Sequence, residues 1–111
     1  MSSFTALRIT IEPVEEASLV RVAGEIDFGN ASDLRRHLDA ARSDGGTTLL
    51  DLAKVDFIDS AGLDVLLDAS GAVDSDRWAF FIVRPSPAVR RLVEVTGTRE
   101  RLALVAVDDI R

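Results

Sequence analysis

The chain has 111 residues, of which 47% are hydrophobic and 29% charged, a balance typical of one compact folded domain and unlike that of disordered chains. Nineteen acidic residues outnumber thirteen basic ones, giving a formal net charge of −6, which disfavours nucleic-acid binding. The absence of cysteine excludes disulfides and thiol nucleophiles, and the lack of a leader or membrane-length apolar run leads us to expect a cytoplasmic protein with no membrane association.

The N-terminal segment predicts a β-hairpin. Residues 7–12 alternate between apolar and polar side chains, the period of a half-buried strand, and Pro13 is expected to end this strand. A second run, rich in β-branched residues, covers residues 19–26. Because the polar stretch between the two runs is several residues long, we expect an antiparallel hairpin with a longer loop.

A helix and a central strand are predicted next. Asn30 is a good N-cap with Asp33 three residues on, and apolar residues at helical spacing continue as far as the Gly45–Gly46 break. Residues 47–52 are mostly β-branched or apolar and predict a central strand. Residues 54–62 are interpreted as the crossover to the second helix.

The alternation of helices and strands continues in the second half of the chain. The second helix is largely apolar and is expected to end at Ser70–Gly71, where glycine accepts a left-handed conformation. Residues 78–83 are continuously apolar, as in a strand covered on both faces. Ser86 is then expected to cap a third helix that has Pro87 in its first turn.

The last predicted elements fix the fold class. Gly97 is expected to end the third helix, and residues 102–107 supply a final apolar strand. The predicted order is therefore ββαβαβαβ. Strands that alternate with helices imply parallel βαβ crossovers, so the sequence predicts an α/β fold with a mixed, mostly parallel sheet whose first hairpin is antiparallel.

The segment VDFIDSAGL, residues 55–63, crowds polar groups into an apolar context. Asp59 or Ser60 can cap the following helix, and Gly62 permits the close approach of another backbone. The N–H groups of the first helical turn carry partial positive charge, which would favour a phosphate on Ser60. On spacing alone, a helix cap with no further role is the simpler interpretation.

Three segments extend this pattern along nearly the whole chain: GEID at residues 24–27, DFIDSAGL at 56–63 and VRRLVEVTG at 89–97. In this order and at this separation they resemble the STAS domain, and more narrowly the anti-sigma factor antagonists of bacterial partner-switching systems. The resemblance runs from Leu7 to Val107 and implies a STAS-like fold, with a single STAS domain over residues 1–111.

The resemblance also implies which residues form the site. Ser60 matches the serine that is phosphorylated in this family by an anti-sigma factor with serine kinase activity, and Asp59 matches its acidic neighbour. Asp27 matches the acidic residue that closes the second strand, and Gly62 matches the loop glycine. The implied partner-binding residues are Asp27, Asp59, Ser60, Ala61, Gly62 and Leu63.

The function implied by the resemblance is that of an anti-sigma factor antagonist, which is a binding module and not an enzyme. Its unphosphorylated form binds the anti-sigma factor and releases a sigma factor, phosphorylation turns it off, and a serine phosphatase resets it. No cofactor is expected, because the chain has no glycine-rich phosphate loop. A non-switching STAS subunit of a transport or stress-signalling scaffold complex is the alternative, and the oligomeric state stays open.

Other chemistries fit the residues poorly. A hydrolase would need a GxSxG elbow and the only histidine, His37, which is predicted on the polar side of the first helix. A response-regulator receiver would use Asp51 as its phosphoacceptor, but an acidic pair after the first strand and a lysine after the last are missing. A metal site would have to draw on aspartates that lack a second ligand-rich segment: Asp51, Asp56, Asp59, Asp64 and Asp68.

Three further features have structural interpretations. Asp27 could cap the turn formed by residues 28–30 as well as contact a partner. Arg35, Arg36 and Arg42 are expected to lie on a solvated, mixed-charge face of the first helix. Trp78, at the start of a buried strand, is expected in the core.

Overall fold

The computed structural model describes residues 6–72 and 77–106. In chain order its elements are β1 (Arg8–Val14), β2 (Ala17–Ile26), α1 (Ala31–Asp44), β3 (Gly46–Ile58), α2 (Ser60–Gly71), β4 (Trp78–Val83), α3 (Pro87–Thr96) and a short 3₁₀ helix (Arg99–Arg101). The four strands form one sheet in the order β1-β2-β3-β4. The β1–β2 pair is antiparallel and the other two pairs are parallel, which confirms the predicted mixed, mostly parallel sheet.

One face of the sheet packs against the helices. Alternate residues of β2, β3 and β4 point to this face and are almost fully buried: Val20, Val22, Leu50, Leu52, Phe80 and Ile82. Trp78 belongs to the same core, as expected, with its ring 5.1 Å from that of Phe80. Its indole N–H donates to the buried Thr48 hydroxyl at 2.8 Å, so neither polar group is left unsatisfied.

The first hairpin is tighter than predicted. β1 continues through Pro13 to Val14, which pairs with Ala17 across a two-residue turn. Glu15 in this turn has a φ of 56°, in the left-handed region. Proline is tolerated in β1 because an edge strand needs ladder hydrogen bonds on one side only. The prediction that Pro13 ends the strand and that a longer loop follows was therefore wrong.

β3 runs on to Ile58, well beyond the predicted end at Leu52. The interpretation of residues 54–62 as a crossover was wrong for residues 54–58, which pair with the carboxyl half of β2. Exposed polar side chains and register shifts in this part of the pairing hide the strand from a search for an apolar run. The extension matters for function, because it makes β3 end level with β2, where Ile58 pairs with Ile26.

The C-terminal part of the chain departs from the predicted order. The 3₁₀ helix Arg99–Arg101 follows α3, and the last predicted strand, residues 102–107, is reduced to one isolated parallel bridge between Leu104 and Ile82. The apolar residues of this segment pack against the core and do not extend the sheet. The prediction of a final strand was therefore wrong for the described residues. Val107 lies outside the described residues.

The predicted positions of the three helix ends are confirmed, but the conformation expected at one of them is not. α1 ends at Gly45 with a φ of 75° and α3 at Gly97 with a φ of 67°, both in the left-handed region. Ser86 caps α3, as expected. α2 includes Gly71, however, and its C-cap Ala72 has a φ of −88°, so the left-handed glycine termination expected there was wrong.

Candidate partner-binding site

Two strand exits lie side by side at the carboxyl edge of the sheet. β2 and β3 are parallel neighbours whose last residues, Ile26 and Ile58, are paired. The Asp59 N–H donates to the Ile26 carbonyl at 3.1 Å and continues this pairing one residue past β3. Asp27 and Ser60 follow directly in the chain, so both lie at this edge, where α/β sheets place their binding sites.

The Asp59 carboxylate joins the loop after β2 to the first turn of α2. Its Oδ1 accepts from the Gly62 N–H at 3.1 Å, which makes Asp59 the N-cap of α2. Its Oδ2 accepts from the Phe28 N–H at 3.0 Å, in the loop after β2. Of the two cap candidates that the sequence left open, Asp59 takes the role, and the same side chain also holds the loop after β2.

Asp27 closes its own loop. Its Oδ1 accepts from the Gly29 N–H at 2.9 Å, and its carbonyl accepts from the N–H groups of Asn30 at 3.1 Å and Ala31 at 2.7 Å. The Asn30 Oδ1 accepts in return from the Asp27 N–H at 2.9 Å. Asn30 occupies the N-cap position of α1 but makes no side-chain cap bond, so its expected capping role was wrong in detail. Asp27 therefore caps the turn formed by residues 28–30, which is the structural role predicted for it.

Ser60 is the first residue of α2, and its side chain is exposed. Ala61 is half-buried, whereas Gly62 and Leu63 are buried beneath the first turn. The N-terminus of a helix carries about half a unit of positive charge, which favours an anionic group at this position. The site thus presents one accessible hydroxyl at the positive end of a fixed helix.

Gly62 sets the first turn of α2 directly on the strand ends. A Cβ at this position would lie 2.7 Å from the Cγ2 of Ile26 and 2.8 Å from the Cγ1 of Ile58. Both distances are too short for non-bonded carbon atoms. The close approach expected from the sequence is therefore made, but to two isoleucine side chains instead of another backbone. The missing side chain fixes the height of Ser60 above the sheet.

The surroundings of Ser60 combine negative charge with exposed apolar surface. In the described part of the chain, the Asp27 and Asp59 carboxylates have backbone N–H partners, and neither pairs with an arginine or lysine. Phe28, between them in the loop, is 87% exposed. Phe28 is not among the predicted site residues, although a large aromatic side chain in a polar loop is visible in the sequence.

The aspartates considered as metal ligands are dispersed. Asp51 is buried in β3 and bonds to Arg84 at 2.5 Å, and Asp68 of α2 pairs with Arg35 of α1 at 2.9 Å. Within residues 6–72 and 77–106, no three acidic, histidine or cysteine side chains are placed to hold a metal ion. The Nδ1 of His37 lies 2.8 Å from a carbonyl oxygen of its own helix, to which it can only donate.

The charged face of α1 is partly as expected. Arg36 pairs with Asp33 on the exposed side, whereas Arg35 forms an ion pair with Asp68 of α2 and so links the two helices.

Within residues 6–72 and 77–106, none of the helices combines the length and apolar character needed to cross a bilayer.

Comparisons with known proteins show the family and the fold of the chain. The chain matches the family model of the STAS domain over residues 8–107. It is 29% identical to the anti-sigma-B factor antagonist of Staphylococcus aureus over 82 residues, which cover 73% of this chain and 76% of that protein. The solved structure of an anti-sigma factor antagonist from Mycobacterium paratuberculosis has a TM-score of 0.81 at 29% identity, covering 94% of this chain and 90% of that one.

A third relative shares the fold at lower identity. The anti-sigma factor antagonist SpoIIAA in its unphosphorylated form has a TM-score of 0.70 at 20% identity, covering 90% of this chain and 88% of that one. The phosphorylated form of SpoIIAA, from Bacillus, has a TM-score of 0.67 at 19% identity, covering 96% of this chain and all of that one. The resemblance identified from the sequence is thus confirmed: the chain belongs to the STAS domain family, and its relatives include anti-sigma factor antagonists.

Proposed function

We propose that the chain is an anti-sigma factor antagonist whose unphosphorylated form binds an anti-sigma factor and thereby releases a sigma factor. Relatives that carry this name support the proposal. The observation that carries it is the exposed Ser60 at the first position of α2, beside the loop after β2, which Asp59 joins to the first turn of α2. A binding module needs an accessible and rigid surface of this kind.

The six residues of the proposed site divide by burial. Ser60 is exposed and Asp27, Asp59 and Ala61 are half-buried, so these four are available to a partner. Gly62 and Leu63 are buried, and they act by positioning the first turn of α2. The partner contact proposed for the last two residues is therefore indirect.

Phosphorylation of Ser60 by the kinase activity of the anti-sigma factor is the proposed off-switch. The γ-phosphoryl group of ATP is transferred to the Ser60 Oγ, the hydroxyl proton is released and ADP leaves. ATP and Mg²⁺ belong to the partner, and a serine phosphatase removes the phosphate by hydrolysis.

The electrostatics of the site explain why the phosphate would act on binding and not on folding. Phosphoserine adds about −1.5 to −2 charge units beside Asp59. The N-terminus of α2 stabilises that charge by about 0.3 to 1 kcal/mol, so the fold is expected to survive. An interface packed over Ser60 would have to desolvate the phosphate, and each lost 1.4 kcal/mol is about a tenfold loss of affinity.

Phosphate mapping tests the assignment of Ser60. The cognate anti-sigma factor would be identified by affinity capture and mass spectrometry, purified, and incubated with this chain and Mg-ATP. Ser86 is buried and caps α3, and the Ser70 Oγ accepts a backbone hydrogen bond from Ala103, so neither is a competing acceptor. We expect modification of Ser60 and none at Ser32, Ser43, Ser70, Ser75 or Ser86. Phosphate on one of these serines with Ser60 untouched would contradict the assignment.

Calorimetry with the purified anti-sigma factor tests the switch. Ser60→Ala is expected to bind as tightly as the unmodified chain, and the phosphorylated chain about tenfold or more weakly. Ser60→Asp should fall between them, because aspartate carries a single charge on a smaller group. Equal affinities for all forms would contradict the proposed switch. They would favour the alternative, a non-switching STAS subunit of a transport or stress-signalling scaffold complex.

A further inference from the structure

Phe28 has the highest fractional exposure of the large hydrophobic side chains in the described chain, at 87%. The fold uses only the backbone of this residue, whose N–H donates to the Asp59 Oδ2 at 3.0 Å. A polar side chain would satisfy the same backbone geometry and would interact better with water. The aromatic ring therefore contributes little to the stability of this chain, and its use has to be sought in a contact with another molecule.

The backbone of the loop that carries Phe28 is held by several hydrogen bonds. Besides the bond to Asp59, the Asp27 Oδ1 accepts from the Gly29 N–H at 2.9 Å, and the Asn30 Oδ1 accepts from the Asp27 N–H at 2.9 Å. A preorganised loop loses little conformational entropy when it binds, so more of the interaction energy of its side chain appears as affinity. Large aromatic side chains held in this way are typical anchor residues of protein interfaces.

We propose that Phe28 is an anchor of the interface with the anti-sigma factor and that Asp59 couples this anchor to Ser60. The inference rests on the proposed function and adds the chemistry of the partner surface. The ring fits an apolar pocket. The carboxylates of Asp27 and Asp59, which pair with no cation in the described chain, fit arginine or lysine side chains at the rim of that pocket.

The coupling follows from the two oxygens of Asp59. One holds the first turn of α2, which begins at Ser60, and the other holds the backbone of Phe28. A phosphate on Ser60 repels this carboxylate and competes with it for the N–H groups of the first turn. Displacement of Asp59 removes the bond to Phe28, so a charge on the serine loosens an apolar contact that the phosphate does not touch.

The anchor is tested by calorimetric binding of the purified anti-sigma factor to Phe28→Ala and to a matched control, Ile11→Ala. Ile11 is also an exposed hydrophobic residue, at 56%, but it pairs with Val20 on the edge strand, about 20 Å along β2 from the loop. We expect Phe28→Ala to weaken binding about thirtyfold. Ile11→Ala should change binding by no more than about twofold. Phe28→Leu, which keeps an apolar side chain, should recover part of the loss.

The outcomes separate this inference from the proposed function. If the unmodified chain binds and is phosphorylated on Ser60 while Phe28→Ala binds equally well, the anchor is wrong and the proposed function stands. If the unmodified chain binds no anti-sigma factor, both are wrong. Unchanged melting of Phe28→Ala relative to the unmodified chain would show that any loss of binding does not come from unfolding.

The coupling has its own measurement in the isolated chain. Hydrogen exchange of the Phe28 amide, followed by NMR, should accelerate about tenfold or more when Ser60 is phosphorylated, because the bond to Asp59 is lost. The Ala31 amide, which bonds to the Asp27 carbonyl, is the internal control and should change less. Equal exchange of the Phe28 amide in both forms would overturn the coupling.

Discussion

Asp51 and Asp59 belong to the same stretch of chain, one inside β3 and one just past its end, but their charges are satisfied differently. Asp51 is buried, and its Oδ2 accepts from the Arg84 guanidinium at 2.5 and 3.1 Å, while its Oδ1 accepts from the Ala53 N–H at 2.9 Å. Asp59 is half-buried, and within the described residues its carboxylate accepts from two backbone N–H groups, one in the loop after β2 and one in the first turn of α2.

The difference shows which carboxylate can respond to a new charge. The hydrogen bond from Arg84 to Asp51 and the attraction of their charges raise the pKa of Arg84 above its ordinary value. While Asp51 is ionised, the raised pKa of Arg84 stabilises the fold below the ordinary pKa of arginine, and this contribution is lost as the pH rises through the raised value. The N–H partners of Asp59 carry partial charges only, so a neighbouring phosphate can compete for them.

The largest loss of stability is expected from Asp51→Ala. The substitution removes a buried hydrogen-bonded charge and should lower the free energy of unfolding by about 2 to 3 kcal/mol. The loss is smaller than for a fully buried pair because the Arg84 side chain is 53% exposed and can be rehydrated. Urea denaturation measures the loss. Binding by the folded fraction should stay unchanged, and a loss of binding with normal stability would contradict the assignment of Asp51 to the fold.

The two glycines of α2 provide the second test, because they stand at opposite ends of one helix. Gly62→Ala would place a Cβ against Ile26 and Ile58, and overpacking should cost about 1 to 2 kcal/mol after the gain in helix propensity. Gly71→Ala meets no atom within 4 Å and should stabilise the protein by up to about 1 kcal/mol. Thermal or urea unfolding would compare them, and a Gly62→Ala variant as stable as the unmodified chain or more stable would show that Gly62 is not needed for close packing.

The smallest loss of stability, and the sharpest separation of roles, is expected at Asp59. Asp59→Ala removes the cap and should cost about 1 kcal/mol, whereas Asp59→Asn remains a good N-cap and should cost a few tenths. The asparagine has one accepting oxygen, so it cannot serve both Gly62 and Phe28. We therefore expect Asp59→Asn to melt almost normally while the Phe28 amide exchanges faster. Normal exchange in this variant would show that the bond to Phe28 is dispensable.

Local signals predicted most of the elements. Alternating apolar residues in β1, the cap at Ser86 and the glycine at Gly97 each depend on neighbours within a few positions, and each element lies where it was predicted, although β1 continues past Pro13. The strand ends were less predictable. The residues that extend β3 to Ile58 mix apolar side chains with the exposed Lys54 and Asp56 and form no continuous apolar run, and they are held in the sheet by β2, which is far away in the sequence.

The sequence by itself determined the alternation of strands and helices, the core position of Trp78 and the family, because these depend on residue types and their spacing. Only the tertiary structure decided that β2 and β3 end level, and hence that the Asp59 carboxylate reaches the Phe28 N–H. That bond joins residues 31 positions apart and exists only in one register of the pairing. The period of apolar residues determines which face of the sheet a side chain takes. A hydrogen bond between two loops depends in addition on the register of the two strands that precede them, and this register is set by the packing of the sheet.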